Sequence, residues 1–357
     1  MTLLTFVLVL FSTWLAACAA FPTTPPATAT TEPPPTEAFT ATNTPSPQST
    51  AIPENLVWFG PNMGSRDFVD MFTDPDAWSH AQASMDVFRF HSSVLFTMPC
   101  AICGDNYLQP FVDADAFRKL ADWGIGIGIE VGALYENGCD GERNYWRDAG
   151  VVILNVERNG GKVAFLAMDE PLLHGGNKPI AGACNYSLEE AADETAIFVK
   201  TVQTYYPEII VGDTEPYPHY SVAQLEDWIL ELESNGISLP FFHLDVDIER
   251  VRVEAQDVTA DLQELKRFCD ERGIAFGVIF TSNWTQASSD RDYYLSTMSW
   301  LEMVKEAIGR PNHIIFESWQ GPSPNGLHEV PLNLPANDPD GYSHIDLLMD
   351  GLQAFGN

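Results

Sequence analysis

The sequence predicts an α/β fold: a single (β/α)8 TIM barrel placed after a signal peptide and a disordered linker. Three observations lead there. Eight short apolar runs recur from Leu56 onward, each bounded by polar loops. Amphipathic helical patterns separate them, and strands alternating with helices imply right-handed βαβ units and a parallel sheet. The runs also end in charged or hydroxyl-bearing residues, as barrel strands do where they open onto a shared C-terminal mouth. The 357 residues are 45% hydrophobic and 11% aromatic, enough for one large core.

In chain order, residues 1–17 form an apolar stretch ending in Leu15-Ala16-Ala17, directly before Cys18. It is short for a spanning helix and ends in the small residues of a signal-peptide cleavage point. Leu-Ala-Ala-Cys resembles the bacterial lipoprotein lipobox, which implies lipidation of Cys18. The absence of Lys or Arg before the apolar core departs from that pattern, and an ordinary secretory signal is the alternative. Residues 18–53 are mostly Thr, Pro, Ala and Ser, a composition that buries no core and reads as an extended tether. The barrel then occupies 54–357. Together these segments describe an extracytoplasmic protein, anchored by lipid or secreted, whose only membrane contact is the anchor.

The expected strands are Leu56–Pro61, Val87–Ser93, Gly124–Val131, Val163–Pro171, Glu208–Pro216, Phe241–Asp247, Ile274–Asn283 and His313–Trp319. Ser187-Leu-Glu-Glu190 is a capping box opening a helix to about Tyr206. Val222–Ser234 and Val258–Arg272 carry helical apolar stripes and stop near Gly236 and Gly273. Asp292–Ile308 and Ser343–Phe355 complete the set. Gly124-Ile-Gly-Ile-Gly128 is a strand whose glycines admit bulky neighbours inside the barrel, not a phosphate loop. A doubly wound open sheet is the alternative architecture.

Alternate strand residues share a face. On that basis the second run presents Arg89 and His91, and the third ends in Glu130 with Tyr135 beyond it. The fourth ends in Asp169 and Glu170. The fifth presents Asp213 and Glu215, then Tyr217 and His219. The sixth presents His243, Asp245 and Asp247, the seventh ends in Thr281, Asn283 and Trp284, and the eighth presents Glu317 and Trp319. So many polar strand ends are better explained by a site than by isolated ion pairs.

Missing features exclude other chemistries. None of the six lysines sits at a strand end, against a Schiff-base aldolase. No His-x-His lies on the first strand, no cysteine triplet suits a radical iron–sulfur enzyme, and no nucleophile elbow is present. Carboxylates, an arginine, histidines and the aromatics Trp58, Tyr135, Tyr217, Trp284 and Trp319, expected to be exposed, suit a carbohydrate. Two carboxylates suffice to cleave a glycosidic bond, without a cofactor or metal.

At these residues the chain resembles the barrel glycoside hydrolases, most closely the clan that includes cellulases and β-galactosidases. Arg89 stands where that clan has an arginine orienting the nucleophile. Asp169-Glu170-Pro171 stands where it has Asn-Glu-Pro, whose Glu is the acid/base, and Trp319 stands at its sugar-stacking tryptophan. The resemblance implies that Glu170 is the proton donor. It fails at the nucleophile, a Glu ending the clan's seventh strand, where this chain has Phe280-Thr281-Ser282-Asn283-Trp284. The partner is then expected from Glu317 first, Asp245 second and Glu215 third.

Two rival readings use the same residues. Glu170, Asp213, His243 and Glu317 resemble the metal-binding set of barrel sugar isomerases and epimerases. A barrel without its nucleophile could also bind surface glycans without turnover. With 18 Lys and Arg against 50 Asp and Glu, a net charge of −32, nucleic acid is excluded as a partner. The bland reading of that charge is a solvated acidic surface, and the protein is expected to be a monomer. Cys100, Cys103, Cys139 and Cys184 read as disulfide formers, with a four-thiolate zinc site as the alternative. Cys269 reads as a buried core thiol. The loop from Gly321 to Tyr342 is expected to cover one side of the mouth.

Overall fold

A computed structural model describes residues 55–135, 138–176, 178, 180–254, 256–282, 287, 289–319, 331–338 and 340–356. Cys18, the linker, Asn283, Trp284 and the first part of the loop after the eighth strand lie outside them. Eight parallel strands close a barrel in sequence order: β1 (Leu56–Gly60), β2 (Val87–His91), β3 (Gly126–Val131), β4 (Val163–Asp169), β5 (Ile210–Tyr217), β6 (Phe241–Val246), β7 (Ala275–Phe280) and β8 (His313–Glu317). Closure is made by β1 against β8, from Leu56 opposite His313 to Gly60 opposite Glu317.

The connecting helices follow local chemistry. Ser187 and Glu190 form a reciprocal capping box at the start of the Leu188–Tyr205 helix. Ser221 with Gln224 forms another before Val222–Ser234. Gly273, at φ +69°, ends the Val258–Arg272 helix in the left-handed conformation that glycine adopts without steric cost. The helix expected from Asp292 begins at Asp290, capped by Ser289.

The lower barrel interior is filled by rings. Trp58 is fully buried, with ring centroids 4.9 Å from Phe165, 5.5 Å from Phe241 and 5.0 Å from His243. The expectation of an exposed Trp58 is therefore corrected: it is an inward residue low on β1. Glycines on three strands make the room. A Cβ would stand 2.8 Å from the Trp58 ring at Gly128, 2.4 Å from the Phe241 ring at Gly212 and 2.5 Å from His243 at Gly277. The glycine-rich third strand thus serves packing, as its sequence suggested.

Two disulfides form, Cys100–Cys103 and Cys139–Cys184, and Cys269 is a buried free thiol. After β8, the chain at Asn333 and Leu334 is anchored by Asp67 in the loop that follows β1. Asp67 accepts hydrogen bonds from both backbone N–H groups and from the Asn333 side chain. Among the described residues no helix is long and apolar enough to cross a membrane.

Candidate active site at the barrel mouth

A cavity of about 250 Å³ opens at the C-terminal ends of the strands. Its lining includes His91, Glu130, Asp169, Glu170, Thr214, Asp245, Glu317, Ser318 and Trp319. A second cavity of about 180 Å³ shares Glu170, Asp245 and Trp319 with it and adds Tyr217, His219, Asp247 and Thr281. The polar strand ends of β2, β3, β4, β6 and β8 therefore converge as expected.

Arg89 is the buried cation beneath the first cavity. Its guanidinium lies 2.7 Å from Glu130 and also pairs with Glu317. Burial works against its charge, but the surrounding carboxyls, Glu130 and Glu317 foremost and then Asp169 and Asp245, together outweigh burial and raise its pKa. Burial alone would lift Glu130, yet Arg89 holds it below the ordinary carboxylate value. Glu317 lies well above that value, chiefly through burial and despite the same Arg89. One guanidinium between two carboxyls keeps one of them ionised. Of the two, Glu130 is the one it holds down, while burial keeps Glu317 up. Asp169 is likewise well above its usual value, from burial and then from Glu130 and Glu170.

Glu170 is placed by the backbone. It has φ +48° and ψ +47°, a left-handed conformation costing a non-glycine residue roughly 1–2 kcal/mol. Its N–H donates to the Thr214 carbonyl at 2.9 Å, and Pro171 starts the short Pro171–Gly175 helix behind it. Burial, then Asp245 and Glu130, push the Glu170 carboxyl up to about 8. Burial and then Glu130 push Asp245 up to about 7. His91 also borders the cavity. Its Nδ1 accepts from the Ser93 N–H at 3.1 Å, and burial lowers its pKa.

Several expectations are corrected. On β5 the inward set is Gly212, Thr214 and Pro216, so Asp213 and Glu215 face the helices. Asp213 accepts from the Trp228 indole N–H at 2.7 Å. Glu215 accepts from the Leu172 N–H at 2.6 Å, bracing the turn that carries Glu170. Tyr217 is buried and donates its hydroxyl proton to Asp261, so it offers an edge of the second cavity and not an exposed stacking face. His243 lies below the cavity, its Nε2 2.9 Å from His313 Nδ1, and burial keeps it well below its usual pKa. Tyr135 borders neither cavity; its ring covers Gly132 and Gly138. The proposed metal set of Glu170, Asp213, His243 and Glu317 is thereby divided among three surroundings. Among the described residues no three His, Cys, Asp or Glu side chains are grouped as ligands to one metal ion.

Thr214 and Pro216 escaped the sequence reading, which took the wrong face of β5. The signal that would have found them is Gly212: glycine marks the inward face on β3, β5 and β7 alike.

These features define a (β/α)8 barrel with an acidic, partly enclosed C-terminal mouth. No protein-family model matches the sequence, and no curated protein matches it. Among solved structures the chain is similar to an endo-β-1,4-mannanase from Cellulomonas fimi (12% identity, 85% of this chain and 70% of that one, TM-score 0.48). It is similar to GH5_18 from Streptomyces cattleya, solved with GlcNAc (11% identity, 85% and 81%, TM-score 0.49). It is also similar to tryptophan synthase from M. tuberculosis (11% identity, 85% and 93%, TM-score 0.42). Such barrels host unrelated chemistries, so function is read from the site.

Proposed function

We propose that the protein is a cell-surface glycoside hydrolase that cleaves O-glycosidic bonds of a poly- or oligosaccharide by two-carboxylate catalysis. The observation that carries this is Glu170. It is fixed by an unusual backbone conformation at the wall shared by both cavities, with its carboxyl raised to about 8. At neutral pH it holds a proton to give to the leaving glycosidic oxygen. Asp245 is the partner, since it borders both cavities beside Glu170. As a carboxylate it meets the oxocarbenium-like carbon, directly or through an activated water. Glu317 gives way in this role because it is committed to Arg89. Arg89 and Glu130 fix the floor of the subsite, Glu215 positions the Glu170 turn, and Trp319 offers a ring face to the sugar. The lipobox-like Leu15–Cys18 segment would place the barrel on the outer side of a membrane, held off by the linker.

The test is Glu170→Gln, assayed on a polysaccharide panel and on an aryl glycoside. Hydrolysis of natural linkages should fall by about 10²–10⁴-fold, with much less loss where the leaving group needs no proton. Full activity of the variant on natural linkages would remove Glu170 from the role. Tight glycan binding by the parent with no turnover would make the barrel a binding protein.

A further inference from the structure

The reaction uses Glu170 and Asp245, which both cavities share, and leaves the second cavity without an assigned occupant. The first cavity holds Glu130, Asp169 and Glu317 besides the shared pair. It suits the ring that becomes positive as the bond breaks. The second adds a different set, Tyr217, His219, Asp247, Thr281 and Ser282. One of these, His219, is held in a single form by a neighbour outside the cavity.

His219 lies in the segment after β5. Its Nδ1 is 2.9 Å from Nη1 of Arg250, on the short Ile248–Glu254 helix after β6. A guanidinium only donates, so Nδ1 accepts this bond and carries no proton. The hydrogen of the neutral ring is therefore on Nε2. Among the described residues Nε2 takes no hydrogen-bond partner. A second proton, on Nδ1, would set an imidazolium N–H against the guanidinium. Burial, then Arg250, lowers the His219 pKa; Lys178 acts in the same direction, and Asp247 and Glu254 oppose it.

Arg250 is itself fixed. Its Nε donates to Glu254 Oε1 at 2.6 Å, and its backbone N–H donates to Asp247 Oδ1 at 3.0 Å. One arginine thus orients a donor, His219, and an acceptor, Asp247, on the same cavity. A donor beside an acceptor matches sugar hydroxyls, each of which donates and accepts. Among the described residues the lining has no Lys or Arg, so an acidic sugar finds no counter-ion there.

Resting on the hydrolase reading of Glu170 and Asp245, we propose that the second cavity takes the leaving sugar and that the His219 Nε2–H donates to one of its hydroxyls. Arg250 is the positioning residue that keeps His219 in that tautomer. The substrate class is a chain of neutral sugars, in which the leaving group is itself a sugar.

The test compares the full-length parent with His219→Leu, His219→Gln and Arg250→Met. Mannotetraose, cellotetraose, galactotetraose and xylotetraose are assayed beside the phenyl glycosides of the same sugars, whose leaving group has no hydroxyl for His219. His219→Leu should lower the ratio of kcat/KM for the best tetrasaccharide over its phenyl glycoside by about tenfold, the scale of one neutral hydrogen bond. His219→Gln, which keeps an N–H donor, should restore part of that ratio, and melting of each variant should stay cooperative. Imidazole ¹⁵N spectra supply a readout that a merely structural role would not move. In the parent, His219 should show only the Nε2–H tautomer between about pH 5.5 and 8. In Arg250→Met the two tautomers should mix, and the pKa should rise toward that of free histidine. An unchanged ratio in His219→Leu overturns the proposal and leaves the hydrolase reading standing, because the parent still cleaves. A parent His219 protonated on Nδ1, or titrating as free histidine, overturns it whether or not the protein is a hydrolase. So does faster cleavage of oligogalacturonates than of any neutral chain. A parent that cleaves none of the glycans sinks the hydrolase reading, and the leaving-sugar role with it.

Discussion

The inward residues of the barrel form two regions that differ in one respect. In the lower region Trp58, Phe165, Phe241, His243 and His313 interlock over glycines and are buried. In the upper region Glu130, Asp169, Asp245 and Glu317 surround an open cavity, with Arg89 buried beneath and paired to Glu130. Both regions contain polar atoms, but they are handled differently. The two lower histidines bond to each other, and burial keeps His243 well below its usual pKa. Among the described residues the upper carboxyls outnumber the cation paired with them, and burial pushes Asp169, Asp245 and Glu317 up. An inward polar residue is therefore open to a ligand only where its layer meets the cavity. Depth along the strand separates His243 from Asp245, two residues apart on one face of β6.

Four experiments press on that contrast. Arg89→Met should have the largest effect. It leaves Glu130 and Glu317 buried without a cation, a loss of roughly 3–5 kcal/mol in thermal or denaturant melts. The deficit should shrink on acidification, as Glu130, which Arg89 holds down in the parent, takes up a proton. A variant as stable as the parent at neutral pH would mean that the upper layer does not depend on its guanidinium.

Gly212→Ala acts on the lower layer. Its new Cβ would stand 2.4 Å from the Phe241 ring, and overpacking of this kind costs about 1–3 kcal/mol. Hydrolysis by the folded fraction should keep its KM. A changed KM with unchanged stability would erase the distinction between the layers.

The pH profile of kcat/KM sharpens the upper region. Asp245, at about 7, must lose its proton to act, so the rate falls as pH drops below that value. Glu170, at about 8, must keep its proton, so the rate falls as pH rises above that value. A narrow bell between the two is expected, with its limbs belonging to the pair. Glu170→Gln should erase the alkaline limb in whatever activity remains on an aryl glycoside.

The smallest effect is expected from Cys139→Ser with Cys184→Ser. This disulfide ties the loop after β3 to a segment whose Cys184 N–H donates to the His174 carbonyl, just beyond Glu170. Activity should fall more than helical circular dichroism. The opposite result would place the crosslink in the support of the core.

The order of elements was legible because it is written in local patterns. Seven of the eight strands lie within the apolar runs that predicted them, and the fifth runs one residue past its run, to Tyr217. The capping box at Ser187 and the stop at Gly273 stand where the sequence puts them. Arg89, Glu130, Asp169, Glu170, Asp245, Glu317 and Trp319 were legible as strand-end groups on one mouth. The faces of β5 were not. A parallel strand is buried on both sides, so hydrophobic periodicity does not say which alternate set points inward. Asp213-Thr214-Glu215-Pro216-Tyr217 is polar in either phase.

The sequence by itself determined that there is a barrel, where its strands end, and that those ends are acidic. Tertiary structure alone decided that Glu317 belongs to Arg89, that Glu215 is a brace, and that Asp245 stands beside Glu170. Strand order follows from patterns within about twenty residues. Which carboxyl faces which depends on barrel closure and on the phase of each strand, and those are settled only when Trp58 and its neighbouring rings pack against the glycines of β3, β5 and β7.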